Sequence, residues 1–324
     1  MASQPVPLGD LVNAARTGSA PPWPAWPPIL VRVDLDGSET DTPTLPAWWP
    51  GVVVGVMGAD GAIDHPACDA VVGPDGIELA AIEAAVEANP LASTALAMLL
   101  RGSASRAVPE GLLAESAVYS ALQAGPEFAT WRAANPPRPR EDRGERVRVE
   151  RLEDTLHVTL VRAEVRNALD TAMRDQLVAA LELAVIDGSI AEVHLRGEGP
   201  AFCAGGDLDE FGSRPDPATA HLVRVLQSAG RAMDVLAERV TAHVHGACRG
   251  SGVEIPAFAR HVVAAPDTTF GLPEISLGLI PGAGGTVSLP RRIGRHRTAL
   301  LALTGLAIDA ARALEWGLVD ELGG

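Results

Sequence analysis

One carboxylate, Glu274, stands shortly before a glycine-rich turn in "PEISLGLIPGAGGT" (273–286). Such a turn serves either a bound phosphate or the chemistry of the carboxylate beside it. The phosphate fingerprints fail on spacing. A G-x-x-x-x-G-K-S/T loop needs a lysine, and all 26 basic residues of the chain are arginines, which also excludes Schiff-base catalysis. A G-x-G-x-x-G turn fails because Val287 follows Gly282 and Gly284 where the last glycine belongs. Ser251 lacks a nucleophile-elbow frame, since Arg249 and Val253 occupy the flanking glycine positions, so a serine hydrolase is not expected.

Two other glycine-rich corners, "AFCAGGDL" (201–208) and "GACRGSGVEI" (246–255), each follow a strand-like run. Where a strand turns into a helix, backbone N–H groups are left without intrahelical acceptors, and glycine lets a ligand approach them. These corners are either simple tight turns or, if they face one another, two donors for one carbonyl oxygen. Gly206 and Ser251 are then the donor positions. His243 and His245 alternate on a strand without a third ligand, and Cys203 and Cys248 lack a positioned base, so all four read as structural and no metal site is expected.

The elements that must position these residues follow from periodicity. Residues 1–28 are proline-rich and read as an irregular arm. "ILVRVDL" (29–35), "GVVVGVM" (51–57) and "CDAVVG" (68–73) read as strands of a parallel sheet, with an ordinary turn in "GADG" (58–61). Helical patterns follow at 77–90, 91–102 and 110–135. "PPRPREDRGER" (136–146) is charged, proline-rich and aperiodic, and is the best linker in the chain. The pattern restarts with two strands around a Glu-Asp turn (146–162). Helices are then expected at 169–187, about 216–238 and from 251, with strands at 191–199, 240–246 and 261–266. Alternating strands and helices give an α/β class with parallel sheet, divided into an arm (1–28), an N-terminal α/β segment (29–140) and a C-terminal core (145–324).

The bulk numbers narrow the function. Hydrophobic residues make up 47% of 324, enough to bury a large core. A formal net charge of −15 argues against nucleic acid or an anionic membrane as partner. Three widely spaced cysteines (Cys68, Cys203, Cys248) and no signal-peptide pattern read as a reduced, cytoplasmic protein.

"AFCAGGDL", "HGACRGSGVEI" and "FGLPEISLGLIPGAGGT", in that order, resemble the enoyl-CoA hydratase/isomerase (crotonase) family. The resemblance spans roughly 145–320 and includes "RNALD" (166–170), "LTG" (303–305) and "ALEWGLVDEL" (313–322). It implies a crotonase-type ββα spiral, an acyl-CoA thioester as substrate, no cofactor beyond that coenzyme A, and a trimeric or hexameric homo-oligomer. It also implies a partner for Glu274: hydratases of this family flank the double bond with two glutamates, which align with Glu254 and Glu274. By the same carry-over Glu254 activates water, Glu274 protonates the α-carbon, and the N–H groups of Gly206 and Ser251 form an oxyanion hole. Coenzyme A is expected against Val165, Arg166 and Ala168, then Ala204, Asp207 and Leu208. The glycines after Glu274 would shape an acyl pocket and bind no phosphate.

The sequence departs from the family pattern in three ways. Ser251 stands where glycine is common, with a hydroxyl that can reach the acyl group. Arg249 replaces a small apolar residue and is a candidate partner for an acidic substrate or a glutamate. The helices that normally follow "GLVDEL" are absent before Gly324, whereas "EGLLAESAVYSALQAGPEFATWRAANPPR" (110–138) resembles them, as in a circular permutation. Hydration is the leading expectation, as part of fatty-acid-type metabolism. Isomerase, decarboxylase or cofactor-free oxygenase chemistry, or a non-catalytic acyl-CoA-binding partner subunit, are the alternatives.

Overall fold

The computed structural model describes residues 8–17, 30–35, 44–57, 64–73, 76–138, 144–214 and 216–323. Most of the arm (1–7 and 18–28), the 58–61 turn and the middle of the linker (139–143) lie outside them. The arm is not irregular throughout, because α1 (Leu8–Thr17) is a helix. Its "LVNAAR" run holds no proline, and Leu11 is buried in a small cluster with Val33 and Trp49.

Three strands, β1 (Leu30–Leu35), β2 (Val52–Met57) and β3 (Ala70–Val72), form the expected parallel sheet in the order β1-β2-β3. Four helices follow: α2 (Ile77–Ala88), α3 (Pro90–Arg101), α4 (Val108–Gln123) and α5 (Pro126–Ala134). The pattern at 110–135 is therefore two helices. Pro126 cannot donate an N–H and pushes Gly125 to extended backbone (φ −86°, ψ 168°), which ends α4. Arg101 of α3 is tied to the small sheet by a buried, fully bonded ion pair. Its Nε donates to Asp69 Oδ1 at 2.8 Å, and its Nη atoms reach Asp69 Oδ2 and the carbonyls of Trp49 and Gly51.

The second half opens with a hairpin, β4 (Val147–Leu152) and β5 (Thr155–Leu160), around Glu153 in the left-handed region (φ 54°). Then come α6 (Thr171–Ile186), β6 (Glu192–Gly197), α7 (Pro217–Leu226), α8 (Ala229–Leu236), β7 (Val240–Val244), β8 (Ala247–Arg249) and the single turn α9 (Ser251–Glu254). After these are β9 (His261–Ala264), β10 (Thr269–Gly271), α10 (Gly285–Thr304), β11 (Ile308–Asp309), α11 (Ala310–Trp316) and β12 (Glu321–Leu322). The helix expected at 216–238 is broken at Gln227, and Ser228 restarts the chain by capping α8 through Arg231 N. The helix expected from 251 lasts one turn, after which Pro256 opens a separate 3₁₀ turn.

Six strands form the main sheet in the order β12-β9-β7-β6-β5-β4, parallel except for the hairpin. A three-stranded sheet, β11-β10-β8, carries the corner that leads into α9. Burial alternates along β5 and β7, so the main sheet has one core face and one outer face. On the outer face His243 Nε2 lies 2.8 Å from His194 Nδ1; His245, just past β7, contacts Gly199 O at 2.9 Å. Among the described residues no cluster of His, Cys, Asp or Glu is placed to hold a metal ion, and no helix is long and apolar enough to cross a membrane. The cysteines are all buried and none is in a disulfide.

One hydrophobic core runs through both halves, from Val52 and Ile82 to Leu156, Leu279 and Leu303. The helix α10 lies at its centre and packs against α2, α3 and α4. Gly111 makes the last contact possible, since a Cβ there would stand 2.9 Å from Val287 Cγ2.

Candidate active site

Three corners converge on one cavity of about 170 Å³, lined by Gly206, Ser251, Glu254 and Glu274 together with Tyr119 and Arg224. The first corner is the turn after β6. Leu169 N donates to Gly205 O, and Asp207 N to Leu169 O, which locks the 201–208 turn against the start of α6. The second is the β8–α9 turn, where Cys203 pairs with Cys248 as an isolated bridge. It thereby sets the first two corners side by side. Gly250 at the turn has φ +47°, and a Cβ on it would collide with Glu274 Oε1. Neither the Gly206 nor the Ser251 N–H donates to another group among the described residues.

The third corner is the glycine-rich turn that enters α10. Its amides alternate between two carboxylates. Glu254 Oε2 accepts from Ala283 N (2.7 Å) and Gly285 N (2.8 Å). Glu115 accepts from Gly284 N (2.7 Å), Thr286 N (2.9 Å) and Thr286 Oγ1 (2.7 Å). A helix N-terminus suits an anion, and here the protein's own carboxylates occupy it. At Gly285 a Cβ would press on the Glu254 side chain, so glycine is what lets that carboxylate reach the amides.

Glu254 and Glu274 are both buried, at 2% and 8% relative exposure. Burial, then the charges of Glu274 and Glu115, push Glu254 above the ordinary carboxylate range, against the pull of its two amide donors. Burial pushes Glu274 up to about 8, with Glu115 adding to the rise, and Glu274 Oε2 is buried without a hydrogen-bond partner among the described residues. Glu115 is raised by burial to about 7. Three neighbouring carboxyl groups of this kind cannot all be ionised near neutrality, so protonated and ionised forms coexist in the cavity.

The other sequence-derived residues are placed as follows. Asp207 lines the cavity, and its carboxylate is held by Arg162 Nη1 at 2.7 Å. Val165, Arg166, Ala168, Ala204 and Leu208 lie outside its lining, on two adjoining segments joined by Ala204 N donating to Arg166 O at 2.9 Å. Arg166 and Asn167 are left-handed (φ 54° and 55°), pinned by the buried Asn167 side chain, which bonds Arg162 N, Glu198 O and Ala201 O. The Ser251 hydroxyl lies 3.7 Å from Cys203 Sγ. Arg249 meets no glutamate among the described residues. Its guanidinium is used by Cys248 O, Thr269 O and Thr269 Oγ1, which fix it to the neighbouring strand.

Tyr119 and Arg224, which line the cavity, and Glu115, which lines an adjoining one, went unforeseen. Glu115 and Tyr119, one turn apart on α4, come from the N-terminal half, and Arg224 from α7. The only signal for the first two was the helical run that holds them, where a buried carboxylate looks like a surface one.

The second half of the chain is similar to known proteins. Residues 150–323 match the enoyl-CoA hydratase/isomerase family. The chain is 37% identical over 174 residues to the 2,3-dehydroadipyl-CoA hydratase of Escherichia coli, covering 54% of this chain and 68% of that protein. It is 33% identical over 178 residues to an enoyl-CoA isomerase/hydratase of Mycosarcoma maydis, covering 51% and 64%. The crystal structure of an enoyl-CoA hydratase from Thermoplasma volcanium superposes with a TM-score of 0.50 at 32% identity, covering 55% of this chain and 71% of that one. The matched stretch thus spans about two thirds of these relatives. By that match and by its α/β fold, the chain belongs to the enoyl-CoA hydratase/isomerase, or crotonase, family.

Proposed function

We propose that the chain is an enoyl-CoA hydratase, adding water across the 2,3-double bond of an enoyl-CoA thioester. The observation that carries this reading is the presence of two buried, pKa-raised carboxyls, Glu254 and Glu274, in one cavity with two unengaged backbone N–H groups. Hydration needs a base and an acid on opposite ends of one water addition. Glu254 is assigned the base on geometry: two amides at a helix N-terminus stabilise its carboxylate form against the burial and neighbouring charges that raise its pKa. It takes a proton from water as the water oxygen bonds to the β-carbon. The π electrons move toward the thioester oxygen, where the Gly206 and Ser251 N–H groups meet the developing charge. One such donor lowers the barrier by about 3 kcal/mol. Glu274, with one oxygen unpartnered and its pKa near 8, is protonated at neutral pH and delivers its proton to the α-carbon.

In this reading coenzyme A is the substrate's carrier, lying along 165–168 and 204–208, and no other cofactor takes part. The helices α2–α5 take the place of the helices that follow the core in other family members. Support for this comes from α4, which packs on α10, brings Tyr119 to the cavity and holds the turn beside it through Glu115. A trimer or hexamer remains the proposed assembly.

The test is the ultraviolet absorbance of crotonyl-CoA, whose conjugated band disappears on hydration. Purified protein should remove the band, and Glu254→Gln and Glu274→Gln should each lower kcat by about 100- to 10,000-fold, the usual worth of a general acid or base. Turnover that survives either substitution would exclude the two-carboxylate mechanism.

A further inference from the structure

The cavity that holds Glu254 and Glu274 adjoins a second one of about 340 Å³, and the two share Leu169, Arg174, Arg224, Gly282 and Ala283. Beyond that junction the wall is largely apolar, with Leu112, Val225, Ala229 and Ile255. The junction itself carries two guanidinium groups.

Arg224 has no carboxylate partner among the described residues. One nitrogen, Nη2, donates to Ser120 Oγ, and the guanidinium stacks over the Tyr119 ring with its carbon 4.5 Å from the centroid. Its Nε is buried and has no acceptor among the described residues. Burial lowers its pKa, and the charge of Arg174 lowers it further, while Tyr119 and Glu115 oppose. Arg174 is bonded outward to Asp175, an exposed neighbour. Three acids nearby are engaged elsewhere: Asp170 with Arg146 and Arg162, Asp207 with Arg162, and Glu210 with Thr171. Glu115 and Glu254 are held by the α10 amides.

A buried guanidinium N–H without an acceptor is costly, and a second like charge beside it adds to the cost. A ligand anion at the junction would relieve both. An alkyl acyl chain would relieve neither, and it would have to pass the two guanidiniums to reach the apolar chamber.

Resting on the acyl-thioester reading above, we propose that the acyl group ends in a carboxylate, which Arg224 Nε receives at the junction with Arg174 beside it. The substrate class is a short ω-carboxyacyl thioester, and Arg224 is its specificity determinant.

Calorimetric binding of saturated thioesters, which cannot be hydrated, tests this without turnover. Glutaryl-CoA and adipyl-CoA are compared with pentanoyl-CoA and hexanoyl-CoA. At least one carboxyacyl thioester should bind wild type tenfold or more tightly than its alkyl counterpart. Arg224→Met should reduce that ratio by about tenfold to a hundredfold, the span of one or two charge-assisted hydrogen bonds, and Arg224→Lys by less. A wild-type ratio near one would overturn the proposal. So would equal weakening of both series by Arg224→Met, which would assign Arg224 to the coenzyme moiety or to the fold. Alkyl thioesters that bind and turn over as well as carboxyacyl ones would leave the hydratase reading intact and remove only this inference. Binding of neither series would remove both.

Discussion

Glu274 and Glu254 are the same residue type in the same cavity, and what separates them is what each oxygen touches. Glu254 has two amide donors at the mouth of a helix, whereas Glu274 has a buried oxygen with none. In the proposed hydration the acid role therefore goes to Glu274, which would set the alkaline limit of activity. With a pKa raised to about 8, Glu274 is protonated through neutrality and ionises above that value. On this basis kcat/KM for crotonyl-CoA should hold near neutrality and fall about tenfold per pH unit above pH 8, in a profile recorded from pH 6 to 10. A profile still flat at pH 9.5 would show that Glu274 does not serve as the acid. Both glutamates were legible in the sequence because short ordered motifs fix their separation. The Arg249 contacts were not, because an arginine beside an active-site turn has many reachable acceptors. Which ones it takes depends on β10, which the local sequence does not place beside it.

At the scale of elements, α4 carries two functions on adjoining faces. Glu115 and Tyr119, four residues apart, line the two adjoining cavities; Ser116 and Ser120, also four apart, bond His221 and Arg224 of α7. The helical run itself was legible. Its break at Gly125–Pro126 was signalled by the proline, but the face turned to the site was not, since small and polar residues surround the stripe. Glu115 ties α4 to α10, and its raised pKa gives that tie a pH dependence. In the folded state its pKa is about 7 against an ordinary 4.5. The stability it contributes is fully present below the unfolded value and is lost as pH rises through about 7. At about 1.4 kcal/mol per pH unit, the loss is roughly 3 kcal/mol. Glu115→Gln removes this titration. Its Tm should lie below wild type at pH 5, where the wild-type carboxyl is hydrogen-bonded without strain, and the gap should close between pH 5 and 8.5. A gap independent of pH would mean that Glu115 is ionised throughout the range.

On the scale of the whole molecule, the two halves of the chain share one core, and many of their polar contacts cross between them. Arg295 Nη1 reaches Cys68 O at 2.8 Å, His296 Nε2 lies 3.0 Å from His65 O, and Arg291 Nη2 reaches Arg106 O at 2.7 Å. Each comes from α10 and ends on the N-terminal half, as do the bonds that Thr286 N and the N-cap Gly284 N donate to Glu115. Strand and helix periodicity showed two α/β runs and a linker between them, which reads equally well as two domains. The shared core was not legible, because pairing between segments some 200 residues apart leaves no local pattern. The physical consequence is that neither half buries its apolar face alone. If the chain is cut within 139–143 and the two pieces are co-expressed, they should copurify, elute together on gel filtration and unfold in a single thermal transition. Expressed alone, the C-terminal piece would expose the face of α10 that α2, α3 and α4 cover and should aggregate or bind a hydrophobic dye strongly. Two pieces that separate on the column, with the C-terminal one monodisperse and cooperatively folded, would show that the N-terminal helices are an appendage to the spiral and no part of its core.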